Sequence, residues 1–201
     1  MATSRRSGFD ARDLALVAVF AALIAVLGLP GALTVPGMTV PITAQTLGVM
    51  LAGSILGARR GALAVLVFLV LVAAGLPLLS GGRGGLGVFA GASAGFLVGW
   101  VAGAYVTGWL VEHRPERYGL GWLVLANFAG GVLVVYAFGI PVMAYVANLT
   151  IGKALVTSLT FVPGDLIKIG IAAVVTAAVM RGYPAAIVPR KQRQPVDSVT
   201  R

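Results

Sequence analysis

From Leu14 to Leu29 the chain reads L-A-L-V-A-V-F-A-A-L-I-A-V-L-G-L, sixteen residues without a charge or an amide. As a helix this run rises about 24 Å, most of the ~30 Å hydrocarbon core of a bilayer. It is longer than the usual h-region of a secretory signal, and no small-x-small cleavage site follows it. With Arg5, Arg6 and Arg12 ahead of it, the run reads as a first membrane span and not as a cleaved leader.

Five further apolar blocks follow. The spans are placed at about residues 14–29, 43–56, 61–76, 88–111, 120–138 and 163–180, as a single transmembrane domain reaching to residue 180. The second and third are separated by Gly57-Ala58-Arg59-Arg60, because two arginines at the bilayer centre would each cost about 2.5–3.5 kcal/mol. The fold class expected is therefore all-α, a polytopic bundle of six transmembrane helices. Composition agrees: 59% of the 201 residues are hydrophobic and 10% are charged, against about 25% charged in soluble domains. A soluble fold of this size could not cover its surface with so few charges.

The net charge of +9 does not point to nucleic acid, because the basic residues sit between the apolar blocks and at the ends. One side collects Arg5, Arg6, Arg12, Arg59, Arg60, Arg114, Arg117, Arg181, Arg190, Lys191, Arg193 and Arg201; the other has Arg83 and Lys153, and Lys168 lies within the last span. This asymmetry predicts an even number of spans with both termini cytoplasmic. Residues 181–201 read as a basic, disordered cytoplasmic tail. The opposite connections, 30–41, 79–87 and 139–162, are Gly/Pro-rich or apolar, and read either as a cap over a pocket or as segments resting in the interface; the last is expected to hold a short helix. Without cysteine there is no disulfide, thiolate ligand or thiol nucleophile.

Ionisable residues inside spans are costly and mark function. The sixth span opens F-V-P-G-D-L-I-K, placing Asp165 and Lys168 three residues apart on one helical face. The pair is either an internal ion pair or the polar floor of a ligand site, with Lys168 meeting a carboxylate and Asp165 accepting N–H bonds. Arg83, in S-G-G-R-G-G-L-G, lies in a loop whose glycines would let the backbone approach a ligand; the alternative is a flexible linker. No Walker lysine is present, so this is not a phosphate loop. Gln45 is a candidate buried amide and is counted with Asp165, Lys168 and Arg83 among the ligand-binding residues, with Asn127 and Asn148 weaker candidates. His113, the single histidine, reads as a solvated loop residue, and no group of residues has metal-ligand spacing. In the first span Ala11, Ala15, Ala18, Ala22 and Ala25 form a strip of small residues, suited to close helix approach within the bundle or by a partner subunit.

Four stretches together resemble the BioY family, the biotin-specific S components of energy-coupling factor (ECF) transporters. They are R-D-L-A-L-V-A-V-F-A-A-L-I-A-V-L-G, V-P-I-T-A-Q-T-L-G-V-M-L-A-G, G-G-R-G-G-L-G and F-V-P-G-D-L-I-K. The resemblance spans about residues 12–180. It implies that this chain, as a plasma-membrane subunit, binds biotin from outside and delivers it inward with energy from two ATPase subunits, through a transmembrane coupling subunit. Asp165 and Lys168 match the family's ligand-contacting pair, and Arg83 its loop arginine. Ala18 and Ala22 match the small-residue docking motif, with Ala21 and Ala25 at the same spacing. No cofactor, metal or enzymatic activity is implied. The sequence departs from the family at Gly91–Phe96, which reads G-A-S-A-G-F where G-P-T-G-G-Y is usual; this removes a tyrosine hydroxyl. The alternatives are an S component for another vitamin and an intramembrane enzyme.

Overall fold

The computed structural model describes residues 10–29, 43–113 and 119–182. The connection at 30–41, Arg5, Arg6, Arg114, Arg117 and the tail beyond Gly182 lie outside the described residues. Within them the chain is α-helical: α1 (Ala11–Val26), α2 (Gln45–Leu56), α3 (Ala58–Ala73), α4 (Ala94–His113), α5 (Leu120–Phe128), α6 (Val135–Val146), α7 (Ile151–Ser158) and α8 (Val162–Gly182). Helix α4 is central, packed on α2, α3 and α6; α1 lies on α3, and α8 on α2 and α5. Ala94–His113, Leu120–Val146 and Ile151–Gly182 are long and apolar enough to cross a membrane, and Gln45–Leu56 is a shorter apolar helix.

Lipid offers no hydrophobic drive between helices, so contact depends on close backbone approach. On α4 the glycines at 95, 99 and 103 recur every four residues and face α6 and the segment before it; a methyl on Gly103 would lie 2.6 Å from the Gly130 carbonyl oxygen. This strip was not singled out in the sequence, yet it sets the central helix contact. At one end of the bundle α2 turns directly into α3 through Gly57, whose φ of +82° places it in the left-handed region. Glu112 on α4 accepts the Ala58 N–H there at 3.2 Å, and Arg60 pairs with Asp13 on α1 at 2.7 Å.

Three boundaries differ from those expected. Arg59 and Arg60 fall inside the first turn of α3 and not in a separating loop, because Gly57 alone makes the turn. The expected block 88–111 starts as a 3-10 turn (Leu86–Phe89), and its α-helix begins only at Ala94. The fifth block does not stop at Phe138 but continues as a rod to Val146, through Pro141. A membrane helix tolerates such a proline when its neighbours support the backbone, and here α4 packs along α6. The connection expected at 139–162 is thus mostly helical, holding the end of α6 and α7.

Candidate functional site

A cavity opens at the end of the bundle opposite Gly57, between α2, α4, α6, α8 and the glycine loop. Its lining includes Thr46, Arg83, Phe96, Trp100, Tyr136, Asp165 and Lys168. Pro163 sits in the first turn of α8, where its missing N–H orphans no intrahelical bond. Asp165 follows in that turn, just past the 3-10 segment Leu159–Phe161 that joins α7 to α8. Lys168, one turn on, meets Asp165 Oδ1 at 3.0 Å, and both side chains are largely buried. Lys168 Nζ also donates to Thr46 Oγ1 on α2 at 2.9 Å, while the Tyr136 hydroxyl on α6 donates to Asp165 Oδ2 at 2.7 Å. A line of polar groups thus crosses the cavity floor from α6 through α8 to α2, and its two charges cancel.

The rim is built by the glycine loop. Leu79 and Arg83 exchange backbone hydrogen bonds of 3.0 and 3.2 Å, closing a tight hairpin over Gly81 and Gly82. Those two have φ of +80° and +70°, which a side chain rarely adopts. The loop is therefore a shaped element and not a loose linker. Arg83 is exposed at the mouth. Its Nε donates to the Ser80 carbonyl at 3.3 Å, and its two terminal nitrogens have no partner among the described residues.

Gln45 belongs to the wall, but its amide is committed inward. It donates to the carbonyls of Ile24 (3.2 Å) and Leu78 (3.0 Å) and accepts the Ser80 N–H at 3.0 Å, with 1% of the residue exposed. Its place in the structure is a tie between α1, α2 and the loop of Arg83. Asn127 bonds Ser54 and the Leu123 carbonyl inside the bundle; Asn148 sits at the turn after α6 with φ of +52°. His113 ends α4 and contacts the Trp109 carbonyl, away from the cavity. Among the described residues no group could hold a metal ion.

Four aromatic rings supply apolar wall. Phe96, Tyr136 and Phe161 meet edge to face in all three pairings, at 6.1, 6.0 and 6.4 Å, and Trp100 packs on Phe68. Phe96 stands where the resemblance expects a tyrosine; the hydroxyl that faces Asp165 belongs to Tyr136 instead. Neither Tyr136 nor Thr46 stands out in the sequence as a site residue. Thr46 is adjacent to Gln45, and Tyr136 carries the lone hydroxyl of the apolar block 120–138.

On α1 the structure separates the alanines. Ala11, Ala15, Ala18 and Ala22 are exposed; Ala21 is buried, and Ala25 packs partly buried against the core.

Comparison with known proteins places this geometry in context. The sequence model of the BioY family matches residues 1–185. The biotin transporter BioY of Rhizobium etli is 56% identical over 179 residues, covering 86% of this chain and 95% of that protein. The biotin transporter BioY of Rhodobacter capsulatus is 42% identical, covering 89% and 98%. Among solved structures, the crystal structure of the S-component for biotin from an ECF-type ABC transporter superposes with a TM-score of 0.82 at 28% identity, covering 88% of this chain and 96% of that one.

Proposed function

Because the chain belongs to the BioY family, we propose that it is the biotin-binding membrane subunit of a vitamin uptake transporter. Biotin lies in the cavity with its ureido ring at the Asp165–Lys168 floor and its carboxylate at Arg83. The family is one of transporters, which removes the intramembrane-enzyme alternative.

The observation that carries this orientation is the pairing of the charges. Lys168 is already neutralised by Asp165 at 3.0 Å and bonded to Thr46, so the floor offers an anion little net attraction. What it does offer is an acceptor beside a donor with one proton uncommitted. Each edge of a cyclic urea presents an N–H beside a C=O, which is the complement of that pair. Of the two cations that line the cavity, Arg83, at the mouth, is the one without a carboxylate partner. The aromatic walls then flank the thiophane ring and valeryl chain, in the pattern of an apolar pocket with a few polar anchors. Lys168 is accordingly assigned to the ureido carbonyl, a change from the carboxylate role expected from sequence.

The test is binding of biotin and of uncharged biotinamide to the purified chain and to Arg83→Ala and Lys168→Ala. Arg83→Ala should weaken biotin by about fivefold at most, the scale of an exposed ion pair, and leave biotinamide unchanged. Lys168→Ala should weaken both alike. The reverse pattern returns the carboxylate to Lys168, and preference for another vitamin over biotin overturns the assignment.

The basic asymmetry supports both termini in the cytoplasm of a plasma-membrane protein, with the cavity outward. No nucleotide-binding motif is present in the sequence, so the energy comes from two partner ATPase subunits through a transmembrane coupling subunit. The exposed Ala18 and Ala22 are the surface assigned to that subunit.

A further inference from the structure

We propose that Tyr136 is the positioning residue that sets ureido selectivity, by holding Asp165 in its accepting orientation; this rests on the ligand reading above. A carboxylate beside a single cation can rotate about its terminal torsion, a broad and nearly free one for Asp, and turn both oxygens toward that cation. Here it cannot. Lys168 holds Oδ1 at 3.0 Å and the Tyr136 hydroxyl holds Oδ2 at 2.7 Å, from different helices. Each oxygen keeps one lone pair, in a side chain that lines the cavity.

The tyrosine itself is fixed twice over. Its ring is perpendicular, within about ten degrees, to those of Phe96 and Phe161, with interplanar angles of 81° and 82°. Such edge-to-face packing leaves the hydroxyl little lateral freedom. Its direction is set by the backbone: residues Ala129–Val134, just before it, form a π-helical segment inside the α5–α6 rod. One extra residue per turn rotates every later side chain by about 100° relative to an uninterrupted α-helix. The segment contains Gly130 and Gly131, which take Thr107 and Met50 against the backbone. The two glycines admit the bulge, and the bulge aims Tyr136 at α8.

The bond between Tyr136 and Asp165 forms before ligand arrives, so its contribution to binding is preorganisation. Without it, the ligand must bear the cost of ordering the carboxylate, a factor of about three to ten in affinity. Tyr136→Phe keeps the ring and removes only the hydroxyl. The expected result is a three- to tenfold loss for biotin and desthiobiotin. A biotin analogue with methylated ureido nitrogens should change less than about twofold. In an Asp165→Asn background, Tyr136→Phe should add little, since the group it orients is gone. Equal losses for all three ligands, or full additivity with Asp165→Asn, would make Tyr136 a packing residue and overturn the proposal. An unchanged or improved biotin affinity overturns it as well. If the wild-type chain binds no biotin, the ligand reading itself fails and the proposal falls with it.

Discussion

Replacing Gln45 by Leu tests whether the buried amide touches the ligand or builds the site. Leucine is close in size but removes two donated hydrogen bonds and one accepted bond. Each such bond is worth about 0.5–1.5 kcal/mol net, so the three together come to roughly 3 kcal/mol. The Ile24 carbonyl is one of the last of α1, left over because the Gly28 N–H turns to Ala25 instead. Water cannot replace the amide at a residue 1% exposed, and the apolar gain from leucine offsets only part of the loss. At about 2–4 °C per kcal/mol for a chain of this size, the full loss would lower the melting point of the ligand-free protein by roughly 6–12 °C, and the offset brings the expected drop below that ceiling. Biotin affinity should fall too, because Ser80 and hence the Arg83 hairpin lose their anchor to α2. The assay is thermal unfolding in detergent, followed by tryptophan fluorescence, alongside biotin titration. A direct ligand contact would instead lower affinity and leave the ligand-free melting point where it was. An unchanged melting point would refute the tie.

Two further outcomes follow from the geometry. Asp165→Asn exchanges an acceptor for a donor opposite a ureido N–H, and should weaken biotin and desthiobiotin by at least about tenfold; retained preference for free over methylated ureido nitrogens in this variant would leave Asp165 as a counter-ion to Lys168 only. Ala22→Trp, on the exposed face of α1, should preserve melting point and biotin binding while abolishing energised uptake by the assembled transporter, whereas Ala21→Trp, buried in the core, should destabilise the chain outright; uptake surviving in Ala22→Trp would move the docking face elsewhere.

The site was partly legible because its costliest members are rare in membrane spans. Asp165 and Lys168 stand out as charges within an apolar block, and their three-residue spacing alone puts them together. Arg83 stands out by its position opposite the arginine-rich ends. Tyr136 and Thr46 were not legible. A single hydroxyl in an apolar span carries little penalty, and nothing local says which way it points. The π-helical turn before Tyr136 has no apolar periodicity of its own; its glycines read equally well as a packing strip. The sequence marks Gln45 as a buried amide with a ligand role, but its actual partners are backbone groups of Ile24, Leu78 and Ser80, distant in sequence and invisible to any motif.

By itself the sequence determined the membrane-embedded helical class, the main apolar blocks and the rare intramembrane charges, because burial in lipid taxes every residue locally through its own transfer energy. The spacing of alanines on the first helix was likewise a local property. Which alanines face outward was decided only by the tertiary structure: Ala21 enters the core where α1 lies on α3, and Ala18 and Ala22 are left exposed. The same holds for the continuation of the rod through Pro141, the inward commitment of Gln45 and the neutral pairing of the cavity floor. Each depends on a neighbour brought close by helix packing, and such contacts have no energy until both partners are in place.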